Sequence, residues 1–249
     1  MTNHTVPNNR VLASISPKDF ERLHAQLKPL TLKFGQVIYE PRKAIEHVYF
    51  PLDCLISLLT TVDKRRTLEV GMVGNEGMAG MPFILGMGVS GVRAIVQGGG
   101  SALRMTSGMF RVEFDRNPAL QQALYRYTYA LMAQISQTAA CNRFHRTEAR
   151  LCRWLMMTRD RMGSNEFRLT HEFLSHMLGV RREGVSEAAN ALKRRKLIEY
   201  NRGHIQILNV TKLRASSCSC YQNVRTVYGR AGLGVIGKAH ISAGRGQAT

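Results

Sequence analysis

One short segment concentrates side chains that could read a polyanion: Arg181, Arg182 and Glu183, with Ser186 and Glu187 a turn later. On a helix, residues at this spacing share an exposed face. Their chemistry suits base edges, because Arg can bond guanine O6 and N7 together and Glu can accept from cytosine N4. Gly184 would let the backbone approach a groove closely, at some cost in helix stability. Thr170, Arg181, Arg202 and His204 flank the segment and suit phosphate contacts. The run from Lys193 to Lys196 is four cations at a helix end, where they offset the helix dipole, so we read it first as a solvated terminus.

No comparable constellation points to catalysis. There is no nucleophile–base–acid pattern, and Gly74-Asn75-Glu76-Gly77 is too short and misplaced for a nucleotide-phosphate loop. His145, His171 and His176 stand singly on expected helices, where structural or surface roles suffice. Five cysteines are present, at 54, 141, 152, 218 and 220. Only Cys218 and Cys220 are close in sequence, and no adjacent His pair completes a site, so buried free thiols and no metal are expected. The chain therefore reads as a non-enzyme without a resident cofactor.

Charge narrows the partner. Lys and Arg number 35 against 17 Asp and Glu, for a net charge of +18. Residues 143–214 hold 16 basic and 7 acidic side chains, the highest density in the chain. Such an excess suits nucleic acid or an anionic surface. No apolar run approaches the roughly 18 residues a membrane span needs. The first ten residues are polar and lack the apolar core of a secretory signal, so a cytoplasmic protein with no membrane partner is expected.

The elements that must position these residues follow from local pattern. Thr170 can cap a helix with Glu172 in its first turn. Phe173, Leu174, Met177 and Leu178 give that helix an apolar face, and Gly179 permits a left-handed exit. A second helix begins near Arg182, with Val185, Ala188, Ala189 and Leu192 inward. Two short helices around a Gly turn make a helix-turn-helix. Residues 197–208 then read as strand, turn and strand, a β-hairpin wing with Arg202 at its tip.

Upstream, a helix over His145–Met162 is expected, and before it a long one over 119–141 that lacks Gly and Pro. Leu120, Leu124, Tyr127, Leu131 and Ile135 recur at three or four residues. That stripe could pack on its own domain or serve as a homodimer seam, and we expect the seam. Earlier still, Val37–Tyr39, His47–Phe50, Cys54–Leu59, Thr67–Val70 and Arg93–Val96 read as short strands punctuated by Gly and Pro, after a leading helix near Pro17–Leu27. This spacing suggests an antiparallel sandwich or roll. The expected fold class is α+β. Its parts are a β domain over 1–117, a linking helix over 118–143, a winged helix-turn-helix over 144–228 and a disordered Gly- and Ala-rich tail over 229–249.

These stretches resemble the superfamily of the cyclic-AMP receptor protein and the fumarate-nitrate regulator (Crp/Fnr) over residues 10–225. Residues 169–174, 179–185 and 197–205 are similar to its winged-helix signature; residues 48–51 and 74–80 are similar to its β-roll sensor domain. The resemblance implies a dimeric transcription regulator binding palindromic double-stranded DNA, with Arg182 and Glu183 at base-reading positions and RNA polymerase as a further partner. Glu187 stands where the family often has a third reader, an Arg, which implies a different operator. The implied effector pocket comprises Gly74, Asn75, Glu76 and Arg93. Asn75 replaces an expected acid, and Arg93 is one place from the usual phosphate-binding Arg. In a strand that shift reverses the side chain's face, so tight cyclic-AMP binding is not expected. With only Cys54 in the front domain, an iron–sulfur or haem variant is not expected either. A small-molecule sensor acting through protein partners is the other function class; the basic, wing-bearing half distinguishes the two.

Overall fold

The computed structural model describes residues 8–63, 66–201 and 203–234. Two short helices, α1 (Arg10–Ala13) and α2 (Pro17–His24), lead into strands β1 (Lys28–Leu32), β2 (Val37–Tyr39), β3 (His47–Pro51), β4 (Leu55–Asp63) and β5 (Arg66–Val73). Helix α3 (Met81–Ile84) precedes β6 (Arg93–Gly98) and β7 (Gly100–Thr106), and α4 (Ser107–Arg116) follows. These seven strands form two antiparallel sheets, ordered β1-β7-β3 and β2-β6-β4-β5, the β-roll that the strand spacing suggested. Strands β1 and β7 were not expected. The first is an edge strand with Pro29 and mostly exposed residues, and the second opens on Gly and Ser, so neither shows clear alternation.

Helix α5 (Pro118–Phe144) runs 27 residues, about 40 Å at 1.5 Å per residue. Asn117 caps it by accepting from the Leu120 N–H, and Pro118 occupies its first turn. The stripe expected as a dimer seam lies elsewhere. Leu120, Leu124, Tyr127 and Leu131 are wholly buried in their own chain, and Ile135 packs against the same core. The β-roll is the reason: a Cβ at Gly77 would lie 1.9 Å from the Tyr127 ring, so the bare glycine lets the loop close over α5. The face left in solvent is Tyr125, Tyr129 and Met132.

Helix α6 (Thr147–Met162) carries the chain to β8 (Glu166–Arg168), ending on Gly163 in the left-handed conformation. Then come α7 (His171–Leu178), α8 (Arg182–Arg194), β9 (Ile198–Asn201) and β10 (His204–Ile207). Strands order as β8-β10-β9, so the hairpin is widened by a strand not expected from sequence. Helices α9 (Val210–Ser216) and α10 (Cys220–Arg230) close the domain. The boundary expected at 229 moves outward: α10 runs to Arg230, and Leu233 is buried, its carbonyl accepting from Arg10. The rest of the expected tail, 235–249, lies outside the described residues. Among the described residues no helix is long and apolar enough to cross a membrane.

Candidate nucleic-acid interface

The helix pair is built as its local chemistry dictates. Thr170 Oγ1 accepts from the Phe173 N–H at 3.1 Å, capping α7. Gly179 sits at φ +60° and ends that helix with its N–H on the Ser175 carbonyl. Val185, Ala188, Ala189 and Leu192 bury one side of α8, and the two alanines leave room for close packing there.

The outer face of α8 presents Arg182, Glu183, Glu187 and Asn190, all exposed. Asn190 was not singled out from sequence, although its spacing from Glu183 and Glu187 places it on the same stripe. Arg182 pairs with Glu172 of α7 at 2.5 Å, both more than half exposed. An exposed pair of this kind contributes little and yields readily to a better partner. Arg181, at the start of α8, is also exposed.

Ser186 departs from the expected role. Its hydroxyl lies 2.9 Å from His171 Nδ1 and 3.0 Å from the Arg182 carbonyl. His171 in turn stacks on Tyr200 of the wing, with ring centroids 4.4 Å apart and planes 11° apart. Desolvation lowers the His171 pKa and so favours the neutral ring. Ser186 thus joins α8 to His171 of α7, the ring that stacks on the wing.

On the wing, His204 is exposed and pairs across the sheet with Asn201 and Arg168. Arg202 lies outside the described residues. At the end of α8, Lys193 pairs with Glu199 at 2.5 Å, and Arg195 pairs with Glu148 and Ser216, as a solvated terminus would.

The helix pair is docked on the β-roll. A Cβ at Gly179 would meet Leu68 of β5 at 2.6 Å, and the rings of Phe34 and Phe173 lie 5.3 Å apart. Two buried polar links run between the domains through α6. Trp154 donates to Glu69 Oε1 at 2.9 Å, and Ser57 donates to Glu69 Oε2 at 2.5 Å. Burial pushes the Glu69 carboxyl up to about 7, against the pull of those hydrogen bonds and the charges of Arg153 and Arg161. The second link is Arg161 Nε to Glu76 Oε1 at 2.8 Å, with both side chains at most 4% exposed.

The residues expected to form an effector pocket have partners of their own. Glu76 is spent on Arg161. A Cβ at Gly74 would sit 2.6 Å from the Arg161 Cβ, so the turn is pressed against α6. Asn75 is buried and reaches Asn8 at 3.4 Å. Arg93 pairs with Glu40 at 3.0 Å, both partly exposed, an exterior charge as the one-place shift implied. A cavity of about 470 Å³ lies between the β4–β5 hairpin and the helix pair, lined by Val62, Leu68, Arg150, Leu178 and Arg181 among others.

Fold and site together define a winged helix-turn-helix module joined through a long helix to an antiparallel β-roll. Residues 149–216 match the model of the Crp-like helix-turn-helix domain, so the chain carries a domain of that family. No curated protein matches the chain in sequence. Among solved structures, a Crp/Fnr-family transcriptional regulator from Eubacterium rectale is similar over 81% of this chain and 94% of its own, with TM-score 0.63 and 14% identity. A CRP-family regulator from Thermus thermophilus is similar over 76% and 96%, with TM-score 0.64 and 15% identity. FixK2 from Bradyrhizobium japonicum is similar over 77% and 98%, with TM-score 0.63 and 13% identity. The chain has the fold of the Crp/Fnr transcription regulators.

Proposed function

We propose that this chain is a sequence-specific, DNA-binding transcription regulator without catalytic activity, acting in the cytoplasm as a homodimer on a palindromic operator. The observation that carries the reading is the outer face of α8, where Arg182, Glu183 and Glu187 stand exposed on a capped helix pair within the most basic part of the chain. Recognition helices read base edges through residues near their N-termini. Arg182 and Glu183 read bases, with Glu187 and Asn190 on the next turns. Thr170, Arg181, Arg202 and His204 contact phosphates and make the affinity salt-sensitive.

The dimer seam in this reading is the exposed face of α5. Tyr125, Tyr129 and Met132 are 48, 66 and 56% exposed and follow at three or four residues. Such a line of large apolar groups on a long helix suits a second copy. A two-fold axis along α5 would set two recognition helices in successive major grooves, about 34 Å apart. RNA polymerase is a further partner. The β-roll is not tuned to cyclic AMP, since Glu76 is committed to Arg161 and Arg93 to Glu40.

The test is selection of bound duplexes from a random DNA pool at near-physiological salt, followed by sequencing. A two-fold symmetric motif with half-sites one helical turn apart is expected. Retention of DNA with no shared motif would refute specific reading, and an asymmetric single half-site would refute the dimer.

A further inference from the structure

Four side chains that the DNA-binding reading does not use meet at the foot of the winged domain. Cys141 lies in the last turns of α5, and His145 is the C-cap of the same helix, one turn on. Cys218 and Cys220 flank Ser219, the N-cap of α10. The three sulfurs and one ring nitrogen all lie within 4.8 Å of one another. Cys141 Sγ is 3.5 Å from Cys218 Sγ, and Cys220 Sγ is 3.5 Å from His145 Nδ1. The three cysteines are buried.

We propose that Cys141, His145, Cys218 and Cys220 form a mononuclear, four-coordinate zinc site. Metal–sulfur bonds of about 2.3 Å and metal–nitrogen bonds of about 2.0–2.1 Å set the edges of such a tetrahedron at roughly 3.5–3.8 Å. The two close contacts match that edge, and the whole set is too compact to bridge two irons. Three thiolates and one imidazole are a structural zinc donor set, and soft sulfur ligands select zinc over the hard cations. Binding is coordination, not redox: zinc enters as the dication, three thiol protons leave to solvent, and no electrons move.

A second observation points the same way. Arg150 and Arg153 of α6 are buried at 6 and 5% exposure, and among the described residues neither has a carboxylate within ion-pair distance. The Nε of each lacks a partner. Arg150 Nη2 donates to Asn142 Oδ1 at 2.7 Å and to the Leu178 carbonyl, whereas Arg153 reaches only Thr138 Oγ1 at 3.4 Å and Met157 Sδ at 3.6 Å. A buried cation without a counter-charge is costly. One zinc ion with three thiolates carries a net charge of −1, a counter-charge beside both arginines. Gln137 Nε2 donates to Cys220 Sγ at 3.0 Å, an outer hydrogen bond of the kind that orients a ligand.

Placement gives the site its role. His145 stands where α5 ends before α6, and Cys218 and Cys220 bring the start of α10 onto that junction. Zinc there would pin the C-terminal helix to the hinge between the long helix and the winged domain.

The test uses the full chain, purified under reducing conditions, loaded with zinc chloride and dialysed. One zinc per chain is expected by elemental analysis. Cobalt(II) in its place should give the intense visible bands of a tetrahedral ion and a near-ultraviolet thiolate charge-transfer band. Cys218→Ser and His145→Ala should lose the stoichiometric metal, while Cys54→Ser and Cys152→Ser keep it. Absence of stoichiometric zinc or cobalt in the wild-type chain overturns the site, as does full retention in Cys218→Ser. A Cys141–Cys218 disulfide in freshly reduced and dialysed protein overturns it too. Should a variant fail to fold, the wild-type titration and its cobalt spectrum decide alone.

Discussion

Replacing Glu76 by Gln should be among the most destabilising conservative changes in this chain. The substitution keeps shape and volume and removes one charge. Arg161 would remain buried with Nη2 on Gln134 Oε1 at 2.6 Å, Nη1 on the Met157 carbonyl at 3.2 Å and the Tyr228 ring 5.4 Å away. None of those partners carries a charge. Burial disfavours the guanidinium charge, and Glu76 is what holds its pKa above the ordinary value. Breaking a buried pair by removing one partner costs about 3–5 kcal/mol, because the survivor's charge stays desolvated and uncompensated. Against a typical total of about 5–15 kcal/mol, that is about a fifth of the stability or more. The effect should be non-additive: Arg161→Met on its own strands the carboxylate, whereas Glu76→Gln with Arg161→Met strands no charge and should recover much of the loss. Equilibrium unfolding in urea at neutral pH, comparing the two single variants with the double, measures both quantities. A loss below about 1 kcal/mol for Glu76→Gln would mean that water reaches the pair and the closed interface between β-roll and α6 is wrong. A double variant as unstable as the summed singles would show that packing, not charge, is what was lost.

Four further outcomes are expected. The Glu69 carboxyl is raised to about 7 from an ordinary 4.5, so the folded chain holds its proton more tightly than the unfolded one. Its contribution is full below about 4.5 and is lost as pH rises to about 7, about 3 kcal/mol in all; Glu69→Gln should flatten that slope, and equal slopes in both proteins would contradict the burial argument. Arg182→Ala should cost about 1–3 kcal/mol of DNA affinity and relax specificity at one base pair; uniform weakening across all sequences would make it a phosphate contact instead. Met132→Glu should yield monomers in sedimentation equilibrium, because a charge would be desolvated at the seam, and an unchanged dimer would place the seam elsewhere. Calorimetry should detect no tight cyclic-AMP binding; micromolar binding abolished by Arg93→Ala would overturn the proposal that the β-roll is not tuned to cyclic AMP.

Local chemistry was sufficient for the helix pair. Thr170 as cap, Gly179 as left-handed exit and the apolar spacing in α7 and α8 are short-range signals, and each element formed where those signals lie. The same holds for the length of α5 and for most strands of the β-roll. Periodicity, however, says that a helix has an apolar stripe and not which body covers it. Leu120, Leu124, Tyr127 and Leu131 went to the β-roll because Gly77 leaves room for the Tyr127 ring, and that close approach is a tertiary fact. Ser186 looked like a reader because helix spacing fixes direction only about the axis; the ring of His171, fifteen residues earlier, decided its bond. Glu76 read as a sensor residue until α6 brought Arg161 against it across 85 positions. The cysteines make the same point most sharply. Cys141 and His145 share one helix turn, and Cys218 and Cys220 share another segment 77 residues away; only the packing of α10 on α5 joins them. The chain's own order thus determined its helices, turns and charge, since those depend on neighbours a few residues apart. Which buried groups meet was left to the tertiary structure, since burial and pairing depend on contacts that no local spacing encodes.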